Sequence, residues 1–169
     1  AVQLLRVVAL AGQEVSFDLL GSVVDESEAA LSAGIEELVI AGFVRERRVE
    51  TTPHIDVAQA RIREVIGREI SVVDRVALHR RLGETLERLG RRRLHVVVDA
   101  LALHFEAGEV PGKAYAYLLR SGTRLLGRSF AREALAAFDR AVALEPEARE
   151  LLPLDDADRA LCELLLRRV

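Results

Sequence analysis

Pro111–Pro146, PGKAYAYLLRSGTRLLGRSFAREALAAFDRAVALEP, holds two runs at helical spacing joined by a short break near Ser129. Small residues stand where the two runs would face each other: Gly122 in the first, Ala134 and Ala141 in the second. Phe138 lies among them and is large enough to fill the gap between two closely spaced antiparallel helices. The stretch reads as a packing unit. It carries no group of the kind that does chemistry.

The spacing of Gly122, Ala134, Phe138, Ala141 and Pro146 resembles one tetratricopeptide repeat of about 34 residues. Leu118 stands where that pattern has a Trp. An ordinary helical hairpin with an alanine-rich seam is the other reading of the same residues. Both predict helices that end near Pro146.

The remaining helices follow the same spacing rule. Asp74–Leu89 carries Leu78, Leu82, Leu86 and Leu89 on one stripe and stops at Gly90; Leu94–Phe105 carries Val97, Val98, Leu101 and Phe105 and stops at Gly108. Beyond Pro146 a less regular link runs through Pro153, and Asp155 can cap a last helix carrying Leu161, Leu164 and Leu165. Such a hydrophobic end needs a neighbour to cover it, so further repeats are expected beyond it.

Before Ser71 the pattern differs. Val2–Ala11 reads as a helix with Leu4, Leu5, Val8 and Ala11 inward, closed by Gly12. Ser16 and Ser27 are N-caps for FDLLGSVV and for a third helix through Leu31, Ile35, Leu38 and Val39, which Gly42 ends. FVRERRVE and HIDVAQA then alternate apolar with polar around a break at Thr51, Thr52 and Pro53, as two strands of a hairpin do. Ala60–Ile70 returns to helical spacing, with Ile62, Val65, Ile66 and Ile70 on one face. Three short helices followed by a hairpin resemble a winged-helix domain.

The expected architecture is therefore mainly α. Residues 1–73 form a small winged-helix domain of three helices plus a β-hairpin, and residues 74–169 form antiparallel helical hairpins like tetratricopeptide repeats.

Composition narrows the function. Of 169 residues half are hydrophobic and 30% are charged, which suits a folded protein with a real core. No run approaches the roughly 18 apolar residues of a membrane span, and Arg6 interrupts the short apolar opening where a signal peptide would need continuity. The single cysteine, Cys162, fits a reducing cytoplasm and reads as a small core residue. The lack of methionine and the opening in mid-pattern suggest a piece of a longer polypeptide. Only Lys113 among 24 bases is lysine, an arginine bias expected of a GC-rich bacterial genome.

Charge is segregated along the chain. Residues 1–44 hold one base against seven acids, residues 45–95 hold thirteen arginines against eight acids, and the remainder is nearly balanced. The middle third alone is basic.

No catalytic constellation emerges. Ala107 and Ala114 break the phosphate-loop pattern around Gly112 and Lys113, and Lys113 reads as a solvated residue at a helix start. His54, His79, His95 and His104 have no partner at metal-ligand spacing. His104 reads as packed beside Phe105, and His79, flanked by Arg80 and Arg81, as partly exposed. Paired charges such as Arg63 with Glu64, or Glu84 and Glu87 with Arg88, suit a solvated helix face.

DNA binding is the rival function. A winged helix sends its third helix into the major groove and relies on bases to neutralise phosphates. Here that helix carries Glu28, Glu36 and Glu37 and no base, while Arg45, Arg47 and Arg48 of the hairpin are offset by Glu46 and Glu50. Protein is the expected partner and DNA is not.

The order LLRVVALAGQEVSFDLL, IEELVIAGFVRE, ARIREVI, VALHRRLGETLERLG and LALHFEAGEVPGKAYAYLLRSGTRLLGRSFAREALAAFDRAVAL resembles the segment that follows the nucleotide-binding domain of bacterial STAND signal-transduction ATPases, the group of MalT-like and cyclase- or kinase-associated proteins. The resemblance implies a regulatory module without chemistry of its own. In it, a winged helix holds the ATPase core closed and helical repeats receive an inducer or partner protein. ATP or ADP would then belong to an upstream domain, and this segment would hold no cofactor, metal or catalytic residue. Oligomerisation would be a property of the full-length protein. Where the family has an aromatic and a histidine before its IREAVY-like helix, this chain has Val57 and Gln59, and Gly67 replaces the terminal Tyr, so no nucleotide-binding residue is carried over. The basic segment offers Arg61, Arg63, Arg80 and Arg81 as contacts to the ATPase domain or another acidic partner. The alternative remains a winged-helix transcription regulator that binds DNA directly.

Overall fold

The computed structural model describes residues 1–12, 14–49, 52–91 and 94–151. Thr51, the expected link through Pro153, the helix capped by Asp155 with Leu161, Leu164 and Leu165, and Cys162 lie outside the described residues. Among those described, the chain is mainly helical, with eight helices and one three-stranded antiparallel sheet. It divides into two compact units, Ala1–Leu89 and the chain from Gly90 onward.

The first unit is built around α1 (Val2–Ala11), which packs against α2 (Phe17–Val24), α3 (Glu28–Ile40), α4 (Ala60–Glu69) and strand β3 (Thr52–Val57). The sequence suggests one apolar face for α1, but Val7 and Ala9 are buried as well as Leu4, Leu5, Val8 and Ala11. Covered from several sides, the helix keeps only a narrow less-buried face of Val2, Gln3, Arg6 and Leu10, on which its single charge, Arg6, is half-buried.

Caps set the element boundaries. Ser16 and Ser27 accept from the amides of Leu19 and Ala30, each at 3.3 Å, and so satisfy donors that the first turns of α2 and α3 leave open. Ser71 does the same for Asp74 at 3.1 Å ahead of α5 (Val72–Gly90), and its hydroxyl donates to the Asp74 carboxylate at 2.8 Å. Leu78 and Leu82 of α5 are buried in the first unit's core, together with Ile70 from the link before it. Val65 is exposed, so the buried edge of α4 is narrower than its spacing suggests.

The sheet has the order β1-β3-β2, with β2 (Val44–Val49) antiparallel to β3 and a two-residue strand β1 (Val15–Ser16) on β3's other side. β1 is too short to leave an alternating pattern in the sequence. β3 also starts within the expected break, two residues before His54: Thr52 and Pro53 pair with Val49 and Arg48.

The second unit layers α6 (Leu94–Ala107), α7 (Pro111–Gly127) and α8 (Ala131–Leu151), with α7 packing on both α6 and α8. Being central, α7 buries Tyr115, Tyr117, Leu118 and Leu119. Tyr117 stacks on Phe105 of α6 with ring centroids 5.6 Å apart. Toward α8 the seam is Gly122 against Phe138, flanked by buried Ala134, Ala137 and Ala141.

α3, α6 and α7 end alike, on a left-handed residue followed by an amide that reaches back five positions. Gly42, Glu109 and Ser129 have φ of 75°, 53° and 67°, and the amides of Phe43, Val110 and Phe130 donate to the carbonyls of Leu38, Phe105 and Leu125. α6 ends at Ala107, directly before the expected stop at Gly108, and the left-handed residue is the next one, Glu109. α8 does not end at Pro146 but runs through it to Leu151. Proline costs one backbone hydrogen bond there, and Ala148, fully buried beyond it, keeps the following turn packed.

Candidate functional site

Strand register decides the chemistry of the first unit's surface. Successive side chains alternate faces, so Val44, Glu46 and Arg48 share one face of the hairpin with Val57, Ile55 and Pro53 opposite them. Arg45 and Arg47 point to the other face, opposite Asp56 and His54. There the arginines are engaged: Arg45 pairs with Asp56 at 3.3 Å, and Arg47 with Glu14 at 3.2 Å. Glu46, which the sequence presents as an offset to those arginines, is on the face that carries the buried Val44, Ile55 and Val57.

On that face lies a groove of about 570 Å³ between α3 and the hairpin, closed at one side by Phe17 of α2. Its apolar lining comes from Phe17, Ile35, Val39, Pro53 and Ile55. Glu28 and Glu36 of α3 and Glu46 of β2 supply its charge, with Ser32 as a further polar group. All three carboxylates are exposed, and among the described residues none is in an ion pair or hydrogen bond. Glu28 and Glu36 are eight positions apart and Ser32 is halfway, so the three fall on one stripe of α3. Ile40, the last residue of α3, is 80% exposed, and Phe43 is 42% exposed.

The arginines proposed from sequence do not act as one group. Arg61 and Arg63 are two positions apart on α4, about 200° around the helix. Arg61 is exposed, whereas Arg63 is half-buried and donates to Asp56 at 2.6 Å. Asp56 thereby holds two arginines from different elements and accepts the Val57 amide at 2.8 Å. Arg80 and Arg81 are exposed on α5.

Two other side chains differ from expectation. His79 is buried, because its position on α5 faces the core between Arg75 and Leu82; burial, and secondarily the Arg75 guanidinium, pushes its pKa below the ordinary 6.5. The Lys113 ammonium sits 4.8 Å over the Phe105 ring and is half-buried. His104 is buried beside Phe105 as its sequence position suggests.

In the second unit a smaller cavity of about 250 Å³ is lined by Leu94, His95, Val98, Arg120 and Arg124. Arg124 is paired to Asp99, which also accepts from the Ser121 hydroxyl at 2.6 Å. Among the described residues no group of three or more His, Cys, Asp or Glu is placed to hold a metal ion, and no helix is long and apolar enough to cross a membrane. What the larger groove offers is apolar burial beside negative charge. No known protein family, curated protein or solved structure matches this chain.

Proposed function

We propose that this chain is a non-catalytic regulatory and protein-interaction module of a STAND-type signal-transduction ATPase. In this reading α1–α3 with the β2–β3 hairpin form a winged-helix domain that contacts the ATPase core. The α6–α8 layers are tetratricopeptide-like repeats that receive an inducer or partner and pass its binding on by reorienting. ATP or ADP would be held by the upstream domain.

The observation that carries the reading is the surface of α3. In a winged helix that element would face DNA, yet it presents Glu28, Glu36 and Glu37 to solvent and no base. Arg45 and Arg47 of the hairpin are already paired with Asp56 and Glu14, which weakens the rival reading of a DNA-binding transcription regulator. The Gly122–Phe138 seam between α7 and α8 supports the repeat-like reading of the second unit.

Charge reversal tests the coupling. Of the four arginines proposed as contacts, Arg61, Arg80 and Arg81 are exposed, and Arg63 is spent on Asp56. In the polypeptide that carries the ATPase domain, Arg61→Glu with Arg80→Glu and Arg81→Glu should change basal ATP turnover. Unchanged turnover together with unchanged partner binding would overturn the coupling. A salt-dependent mobility shift with duplex DNA at physiological ionic strength would favour the transcription regulator instead.

A further inference from the structure

We infer that the groove between α3 and the hairpin is a docking site for a basic amphipathic peptide segment, one apolar face flanked by arginine or lysine, supplied by a partner protein. This goes beyond the regulatory reading above, since such binding is measurable on this chain whether or not an ATPase domain precedes it.

The occupant's chemistry follows from what the groove would lose when covered. Phe17, Val39 and Pro53 give it an accessible apolar floor, and burying that floor is favourable for any partner with apolar side chains. A purely apolar partner, however, would also strip water from Glu28, Glu36 and Glu46, none of which is in an ion pair among the described residues. Desolvating unpaired carboxylates opposes binding, so the occupant must bring cations to meet them. Arg48 is the one arginine on this face of the strand pair; it is a step further toward the hairpin tip, opposite Pro53. A polyanion is repelled by the same three groups.

The geometry suits a segment rather than a compact ligand. Glu28 and Glu36 are about 12 Å apart along α3, at eight residues of 1.5 Å rise. Glu46 faces them from the hairpin side. A peptide lying along α3 can therefore offer one cation to each end of the helix stripe and a third to the strand while its apolar residues meet Val39 and Phe17.

The test uses fluorescence anisotropy of a labelled helical peptide of about 14 residues, four turns long, with leucines on one face and arginines flanking it. Saturable binding that weakens with salt, and that falls at least about tenfold in the Glu36→Gln, Glu46→Gln double variant, is the expected result. Val39→Asp should weaken it independently by spoiling the floor. All three positions are exposed, so the variants should retain the parent's circular dichroism and melting. If the double variant fails to fold, Val39→Asp and Glu28→Gln decide the matter in its place. Equal binding of a control peptide with serines for the leucines would reduce the effect to bulk charge and overturn the proposal. Equal binding of a peptide with glutamates for the arginines would overturn it too, as would affinity unchanged in the variants. Self-association abolished by Glu36→Gln and Glu46→Gln would identify a second copy of this chain as the occupant and likewise overturn it.

Discussion

Phe138 lies so close to Gly122 that a methyl group on Gly122 would stand 2.5 Å from Cε1, 2.7 Å from Cζ and 2.8 Å from Cδ1 of its ring. The separation of α7 and α8 is thus set by a missing side chain. Gly122→Ala should lower stability by about 1–3 kcal/mol through overpacking. That outweighs the roughly 0.5–1 kcal/mol that alanine gains over glycine within a helix. Urea unfolding measures it, and Phe138→Leu in the same molecule should recover part of the loss because the two residues are coupled. Additive effects would mean that the ring does not set the spacing.

Gly67 is the opposite case. It is inside α4, and apart from its chain neighbours and the helix's own nearby backbone no heavy atom lies within 4 Å of where its Cβ would be. With neither a clash nor a left-handed backbone to oppose it, Gly67→Ala should stabilise the protein by about 0.5–1 kcal/mol. A rise in urea midpoint with unchanged slope would show it; a fall would mean that the helix needs the extra backbone freedom there.

The two arginines on Asp56 should not be equivalent. Arg63 is 32% exposed and Arg45 59% exposed, against 16% for the carboxylate they share. Asp56→Ala removes the acceptor of both and of the Val57 amide, and should cost about 1–3 kcal/mol. Arg45→Ala, at a solvated pair, should cost no more than about 1 kcal/mol and less still at high salt. Comparing the two in low and high salt separates the buried contact from the screened one.

Boundaries that rest on local chemistry were legible in the sequence. Ser16 and Ser27 cap because a hydroxyl before a helix can accept a free amide, and Gly12 and Gly42 take positive φ because glycine tolerates it. What depends on distant neighbours was not. β1 exists only because β3 lies beside it, and Val7 is buried only because several elements surround α1. Pro146 marks a helix end locally, yet the helix continues past it. For the candidate site the acidity of α3 was visible, while the groove required the register. Alternation places Glu46 with Val44 rather than with Arg45, a signal present in VRERRV once its pairing with β3 is known. The internal commitment of Arg63 had no such signal, because Asp56 is seven residues away across a turn.

His79 should make stability depend on pH in a defined direction. Burial and the neighbouring Arg75 depress its folded pKa below 6.5, so well above that value the ring is neutral in both folded and unfolded chains and contributes no pH dependence. As pH falls below 6.5 the unfolded ring takes up a proton first, which draws the equilibrium toward unfolding. The loss grows until the folded ring also titrates, and is constant below that point. Unfolding measured between about pH 7.5 and pH 5.5 should therefore show a steeper decline in the parent than in His79→Gln, whose side chain cannot charge. Arg75→Gln should soften the decline less, since desolvation is the larger cause. Parallel profiles for the parent and His79→Gln would show that this ring is not the source of the dependence.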